Sequence, residues 1–92
     1  MFGGRVLLAE DNAVDSEIAI EYLTELGFSA VIVGNDRAAV AAFADEQFDL
    51  ILMDCQMPKM DGFEATRQIR KIERVFSRFR TPIIALAANA SE

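Results

Sequence analysis

Three acidic residues stand at the ends of two apolar runs. Asp54 closes Leu50-Ile51-Leu52-Met53, inside the longer stretch Phe48-Asp49-Leu50-Ile51-Leu52-Met53-Asp54; Glu10 and Asp11 follow Val6-Leu7-Leu8-Ala9. A short apolar run bounded by turn signals reads as a strand buried on both faces. An acid at the end of such a strand is delivered to the crevice where open α/β sheets place their ligands. If the two strands are parallel neighbours, the three carboxylates share one rim. Two unit charges ~4 Å apart repel by about 4 kcal/mol at a near-surface effective dielectric, a large part of a stability of roughly 5–15 kcal/mol. Either one group is protonated or a cation sits among them. Hard oxygen ligands around an open position favour Mg²⁺, which keeps several waters and commonly binds phosphate too. That combination suits an Asp nucleophile taking a phosphoryl group. The plainer reading of Glu10 and Asp11 is acid near a helix N-terminus, where negative charge is favoured. Acids at two strand ends, together with the turn Met57-Pro58-Lys59-Met60-Asp61-Gly62, weigh against it.

The elements that must position these acids alternate along the chain. Arg5–Ala9 reads as a first strand. Asn12 is set to cap a helix running to about Leu26, with Val14, Ile18, Tyr22 and Leu26 at helical spacing, Leu23 widening the stripe and Gly27 ending it. On that stripe Tyr22 is expected to be half-buried. Ala30–Val33 is a second strand. Asn35-Asp36 opens an Ala-rich helix over about Arg37–Glu46, whose buried face is Ala39, Val40 and Phe43. After the third strand, Asp61-Gly62-Phe63-Glu64 has the form of a capping box, with Asp61 as the helix cap. The third helix carries Phe63, Thr66, Ile69, Ile72 or Glu73, and Phe76 along one side. A loop leads to a fourth strand, Pro82–Leu86. Strands alternating with helices argue a parallel α/β sheet covered on both faces.

The totals set the outer limits. The 92 residues make one small domain, 1–92, and an apolar fraction of 52% is ample for a packed core. No apolar run approaches the ~20 residues of a membrane span, there is no export signal at the start, and a single Cys is present, which together point to the cytoplasm. Cys55 is expected to be a buried, inert thiol. A net charge of −6 argues against direct nucleic-acid binding. Seven of the nine basic residues nevertheless fall between Lys59 and Arg80. They form either the solvated face of a helix and its following loop, which is the preferred reading, or a docking patch for an acidic partner.

Val6-Leu7-Leu8-Ala9-Glu10-Asp11-Asn12, the stretch from Phe48 to Arg70 with its Met-Pro-Lys-Met-Asp-Gly turn, and Pro82-Ile83-Ile84-Ala85-Leu86 resemble the receiver domain of two-component response regulators, in particular the receivers of hybrid sensor histidine kinases. The resemblance covers essentially the whole chain. It implies a flavodoxin-like, doubly wound fold of sheet order 2-1-3-4-5, here about four strands and three helices in order 2-1-3-4. It also implies that Asp54 accepts a phosphoryl group from a phosphohistidine on a histidine kinase or phosphotransfer domain. Asp11 and Asp54 would ligate Mg²⁺ together with the backbone carbonyl of Gln56, and Glu10 would act through a metal-bound water. A receiver of this kind is not normally counted as an enzyme.

Two departures from the family pattern stand out. Ala87 occupies the position at the end of the fourth strand where the family usually carries Ser or Thr, whose hydroxyl meets the phosphoryl group. The family's fifth strand, with its terminal Lys, and fifth helix do not follow within 92 residues. Their loss would leave the fourth strand as a bare edge and uncover part of the first helix, so a homodimer or an exchange of elements between chains is expected. Two competing readings remain. One is a degenerate receiver that serves as a protein-interaction or dimerisation module without lasting phosphorylation. The other is a haloacid-dehalogenase-like phosphatase, whose Asp-x-Asp pattern Glu10-Asp11-Asn12 does not match.

Overall fold

The computed structural model describes residues 3–54 and 62–86. Seven elements alternate: β1 (Arg5–Ala9), α1 (Ala13–Glu25), β2 (Ser29–Val33), α2 (Asp36–Asp45), β3 (Leu50–Asp54), α3 (Gly62–Val75) and β4 (Ile83–Leu86). The four strands form one sheet in the order β2-β1-β3-β4, with every pairing parallel. In register, Ala9 faces both Val33 and Met53, and Asp54 faces Leu86. All strand C-termini therefore open on one edge.

β1 is the centre of the core. Val6, Leu7, Leu8 and Ala9 are buried in succession, as a strand covered on both faces requires. On one side Leu7, Ala9, Ile51 and Met53 meet Ala39 and Phe43 of α2 and Ala65 and Ile69 of α3 in a single cluster. The small residues Ala39 and Ala65 let the two helices sit close to the sheet. The opposite edge is tied at its start. The Arg5 N–H donates to Asp49 Oδ2 at 2.8 Å, and the Asp49 N–H donates to the Arg5 carbonyl at 2.8 Å. Gly4 permits this approach, since a Cβ there would lie 2.9 Å from Asp49 Oδ2 and 3.2 Å from Phe28 Cε1.

The helix ends follow their local chemistry. Asn12 Oδ1 accepts the N–H groups of Val14 and Asp15, and Asn35 Oδ1 accepts that of Ala38. α1 ends in a Schellman turn, with Gly27 at φ 90° and the Phe28 N–H on the Leu23 carbonyl at 2.9 Å. α3 ends in the same way, but the left-handed position is Ser77, at φ 55°, with the Arg78 N–H on the Glu73 carbonyl at 2.8 Å.

The first-helix stripe departs from expectation. Leu23 is the buried residue of α1, while Val14, Ile18, Tyr22 and Leu26 are exposed, and Tyr22, expected half-buried, is 65% exposed. Periodicity identifies an apolar helix face but not what lies against it. α1 packs on the sheet through Leu23, one residue round from Tyr22, and nothing among the described residues covers the rest of the stripe. Phe76 likewise lies beyond the end of α3 and is exposed, whereas Ile69 and Glu73 on the same side are buried. The capping role expected of Asp61 lies outside the described residues. Glu64 bonds to Arg67 and Gln68 further along its own helix.

Candidate metal and phosphoacceptor site

β1 and β3 are neighbours, so the residues at their C-terminal ends meet. Glu10 extends the β1 ladder by one bond, its N–H donating to the Val33 carbonyl at 2.9 Å. The chain then turns at once into α1. In that turn Glu10 Oε2 accepts the Asn12 N–H at 3.0 Å while the Asn12 side chain caps the helix. The Glu10-Asp11-Asn12 tripeptide is thus held in place by hydrogen bonds at both ends. Asp54 is the last residue of β3 and is only 5% exposed.

Carboxylate oxygens of Glu10, Asp11 and Asp54 lie within 4.8 Å of one another. At that separation each pair of charges repels by about 3.5 kcal/mol at an effective dielectric of ~20. Burial and this crowding both act on Glu10. Burial, then a hydrogen bond and the like charge of Asp54, and then Asp15 raise its carboxyl above the usual range, against the Asn12 N–H, which favours the charged form. Asp15 is a contributor that the motif reading did not single out. Its place in the first turn of the helix that follows the rim, where acid is favoured, is the signal that would have found it.

The donor set is oxygen only, from a buried, a half-buried and an exposed carboxylate. It fits a hard divalent cation, which relieves the repulsion without protonating any of the three. The expected contributions of the Gln56 carbonyl, Asp61 and Ala87 lie outside the described residues, as does Cys55. Of the basic residues noted in the sequence, Arg70 and Arg78 are not a solvated face. Arg70 Nη1 bonds to both Glu73 carboxylate oxygens and to the Thr81 carbonyl, and Arg78 donates to the Phe43 and Ala44 carbonyls at the end of α2.

Comparison with known proteins gives this geometry a family. The model of the response regulator receiver domain matches residues 6–92. A probable histidine kinase 2 of Oryza sativa subsp. indica is 41% identical over an alignment that covers 98% of this chain and 10% of the kinase. The chain therefore spans about a tenth of that relative's length. Among solved structures, the receiver domain of the sensor histidine kinase PA1611 from Pseudomonas aeruginosa, with a magnesium ion coordinated in its active-site cleft, superposes with a TM-score of 0.83 at 41% identity, covering 99% of this chain and 72% of that one. The receiver domain of the Saccharomyces cerevisiae response regulator Ssk1, crystallised with the phosphotransfer protein Ypd1, gives a TM-score of 0.73 at 32% identity, covering 92% of this chain and 62% of that one. The four parallel strands in the order β2-β1-β3-β4, the acids brought together at their C-terminal rim and a family match over nearly every residue lead to one conclusion: this chain belongs to the response regulator receiver domains of two-component signalling.

Proposed function

We propose that Asp54 is the phosphoacceptor of a phosphorelay and that Mg²⁺ is required for the transfer. The observation that carries this reading is the approach of three carboxylates to within 4.8 Å, one of them on a strand end and almost fully buried. Asp11 and Asp54, with the Gln56 carbonyl, would hold the ion, and Glu10 would hold it through a water. When bound, Mg²⁺ would offset the negative charge of the rim and of the arriving phosphoryl oxygens.

The remaining chemistry belongs to the chain. An Asp54 carboxylate oxygen attacks phosphorus in line. The bond from phosphorus to the donor's imidazole nitrogen breaks, the imidazole leaves with the electron pair, and a proton from solvent restores the neutral ring. An acyl phosphate on Asp54 results. Burial of Asp54 withdraws competing water from the attacking oxygen. The Asn12 cap and the bond from its N–H fix Glu10 at the rim, so the cluster does not have to assemble at the moment of transfer.

The donor in this reading is a histidine kinase or a histidine phosphotransfer domain. The pairing of Ssk1 with Ypd1 supports it, as does the kinase that carries the 41% identical segment. The domain is then a recipient in the transfer rather than a turnover enzyme, and its place is the cytoplasm. No helix among the described residues is long and apolar enough to cross a membrane. The exposed stripe Val14, Ile18, Tyr22 and Leu26 and the exposed Ile84 on the edge strand β4 support self-association. Sedimentation showing only monomer at high concentration would refute that part.

Incubation with acetyl phosphate and Mg²⁺, followed by intact-mass measurement, tests the central reading. A phosphoryl adduct that is absent in Asp54→Asn is the expected result. Folded protein that binds Mg²⁺ yet gains no mass would favour the interaction-module reading, for which Ala87 in place of the usual hydroxyl is the sequence argument.

A further inference from the structure

A second charged cavity lies at the other edge of the sheet. Arg70, Glu73, Arg74, Arg78 and Arg80 line a cavity of about 250 Å³ where the end of α3 meets the approach to β4. Four guanidinium groups against one carboxylate leave a formal charge of +3 there, in a chain whose net charge is −6. We propose that this cavity binds a polyphosphate oxyanion.

Two of the arginines are fixed before any ligand arrives. Arg70 is held by Glu73 and by the Thr81 carbonyl. Its buried Nε has no hydrogen-bond partner among the described residues. Arg78 is held by the Phe43 and Ala44 carbonyls and stacks over the Phe43 ring at 5.1 Å and the Phe76 ring at 5.8 Å. These partners are neutral, so its positive charge is positioned but not cancelled. Arg74 and Arg80 are exposed and make no hydrogen bond or ion pair among the described residues. Arg74 and Arg80 can each grip a phosphate through two oxygens, while the fixed guanidiniums of Arg70 and Arg78 add positive charge around the same hollow. Glu73, the only carboxylate among the described lining residues, already accepts bonds from Arg70 and from the Thr81 N–H. A single phosphate would use fewer of these forks than a chain of two or more.

The acid rim lies at the C-terminal ends of the strands, and this cavity lies where β4 begins, some ~15 Å away along a strand of this length. The two can therefore be tested separately. The probe is inorganic pyrophosphate, titrated in Mg²⁺-free buffer and followed by calorimetry and by amide chemical shifts, with ADP as a parallel arm. We expect saturable binding that weakens by about tenfold for each arginine removed in Arg74→Gln and Arg80→Gln and persists in Asp54→Asn. Tighter binding of ADP than of pyrophosphate would identify a nucleotide as the source of the phosphates; equal binding would assign recognition to the phosphates alone. No saturable binding of either probe below ~1 mM, or binding that survives in the Arg74→Gln/Arg80→Gln double variant, overturns the proposal. Because Mg²⁺ is absent and Asp54→Asn is included, failure here leaves the phosphoacceptor reading untouched, and the converse also holds.

Discussion

The two edges of the sheet handle buried charge in opposite ways. At the C-terminal edge, Glu10, Asp11 and Asp54 crowd like charges together. At the N-terminal edge, Glu73 is equally buried, at 6% exposure against 5% for Asp54, but it is surrounded by donors. The Thr81 N–H reaches its carboxylate at 2.6 Å and Arg70 Nη1 at 2.9 Å, and the same Nη1 bonds to the Thr81 carbonyl at 2.8 Å. This network joins α3 to the start of β4. At one edge the buried acid is bonded to donors within the fold; at the other, three acids meet in a cluster that could hold a cation. The contrast separates an acid ringed by donors from acids crowded together, and burial alone would not reveal it.

The contrast predicts opposite signs for chemically identical substitutions. Glu73→Gln should destabilise the domain most, by about 3 kcal/mol, because an amide must turn an NH₂ toward either the Thr81 N–H or the guanidinium of Arg70. Denaturant unfolding measures it. Asp54→Asn, measured without Mg²⁺, should instead stabilise by about 1–2 kcal/mol, since it removes one member of a repelling cluster. If both substitutions destabilise equally, the two edges do not differ in the way proposed.

A pH series sharpens the same comparison. Burial alone would raise the Glu73 carboxyl, but the Thr81 N–H, the bond and charge of Arg70 and the charge of Arg80 outweigh it and hold the group below its usual 4.5. A carboxyl lowered on folding contributes its stability in full above the unfolded value and loses it as pH falls through the folded one. Wild type should therefore lose stability below about pH 4.5 more steeply than Glu73→Gln.

The smallest effect concerns the two helix ends. α1 places Gly27 in the left-handed position, where it costs nothing; α3 places Ser77 there. Ser77→Gly should stabilise by about 1 kcal/mol, visible as a small rise in Tm. Loss of stability would mean that the Ser77 side chain contributes something beyond its backbone angle.

Local chemistry is the part of this fold that the sequence states openly. The apolar runs Val6–Ala9 and Leu50–Met53 read as buried strands, and Asn12, Asn35 and Gly27 marked helix boundaries to within a residue or so. The meeting of Glu10, Asp11 and Asp54 followed from parallel pairing, because acids at the ends of neighbouring parallel strands have nowhere else to go. What stayed hidden depended on packing between elements distant in the chain. The α1 stripe looked like a core face, yet of its five residues Leu23 alone is buried. Arg70 fell within the basic run read as a solvated face, and Glu73 was only an alternative to Ile72 on the α3 stripe; Thr81, eight residues beyond Glu73, supplies the backbone groups that make their burial tolerable. Arg78 fell within a basic run and in fact closes the end of α2, more than thirty residues earlier. No periodicity encodes contacts of that kind.

The convergence of the three acids is tested most directly by Mg²⁺ titration calorimetry at neutral pH on wild type, Glu10→Gln and Asp54→Asn. One saturable ion per chain in wild type, weakened in Glu10→Gln and lost in Asp54→Asn, is the expected pattern. Absence of binding to the folded wild-type domain, or an affinity indifferent to Asp54, would contradict it.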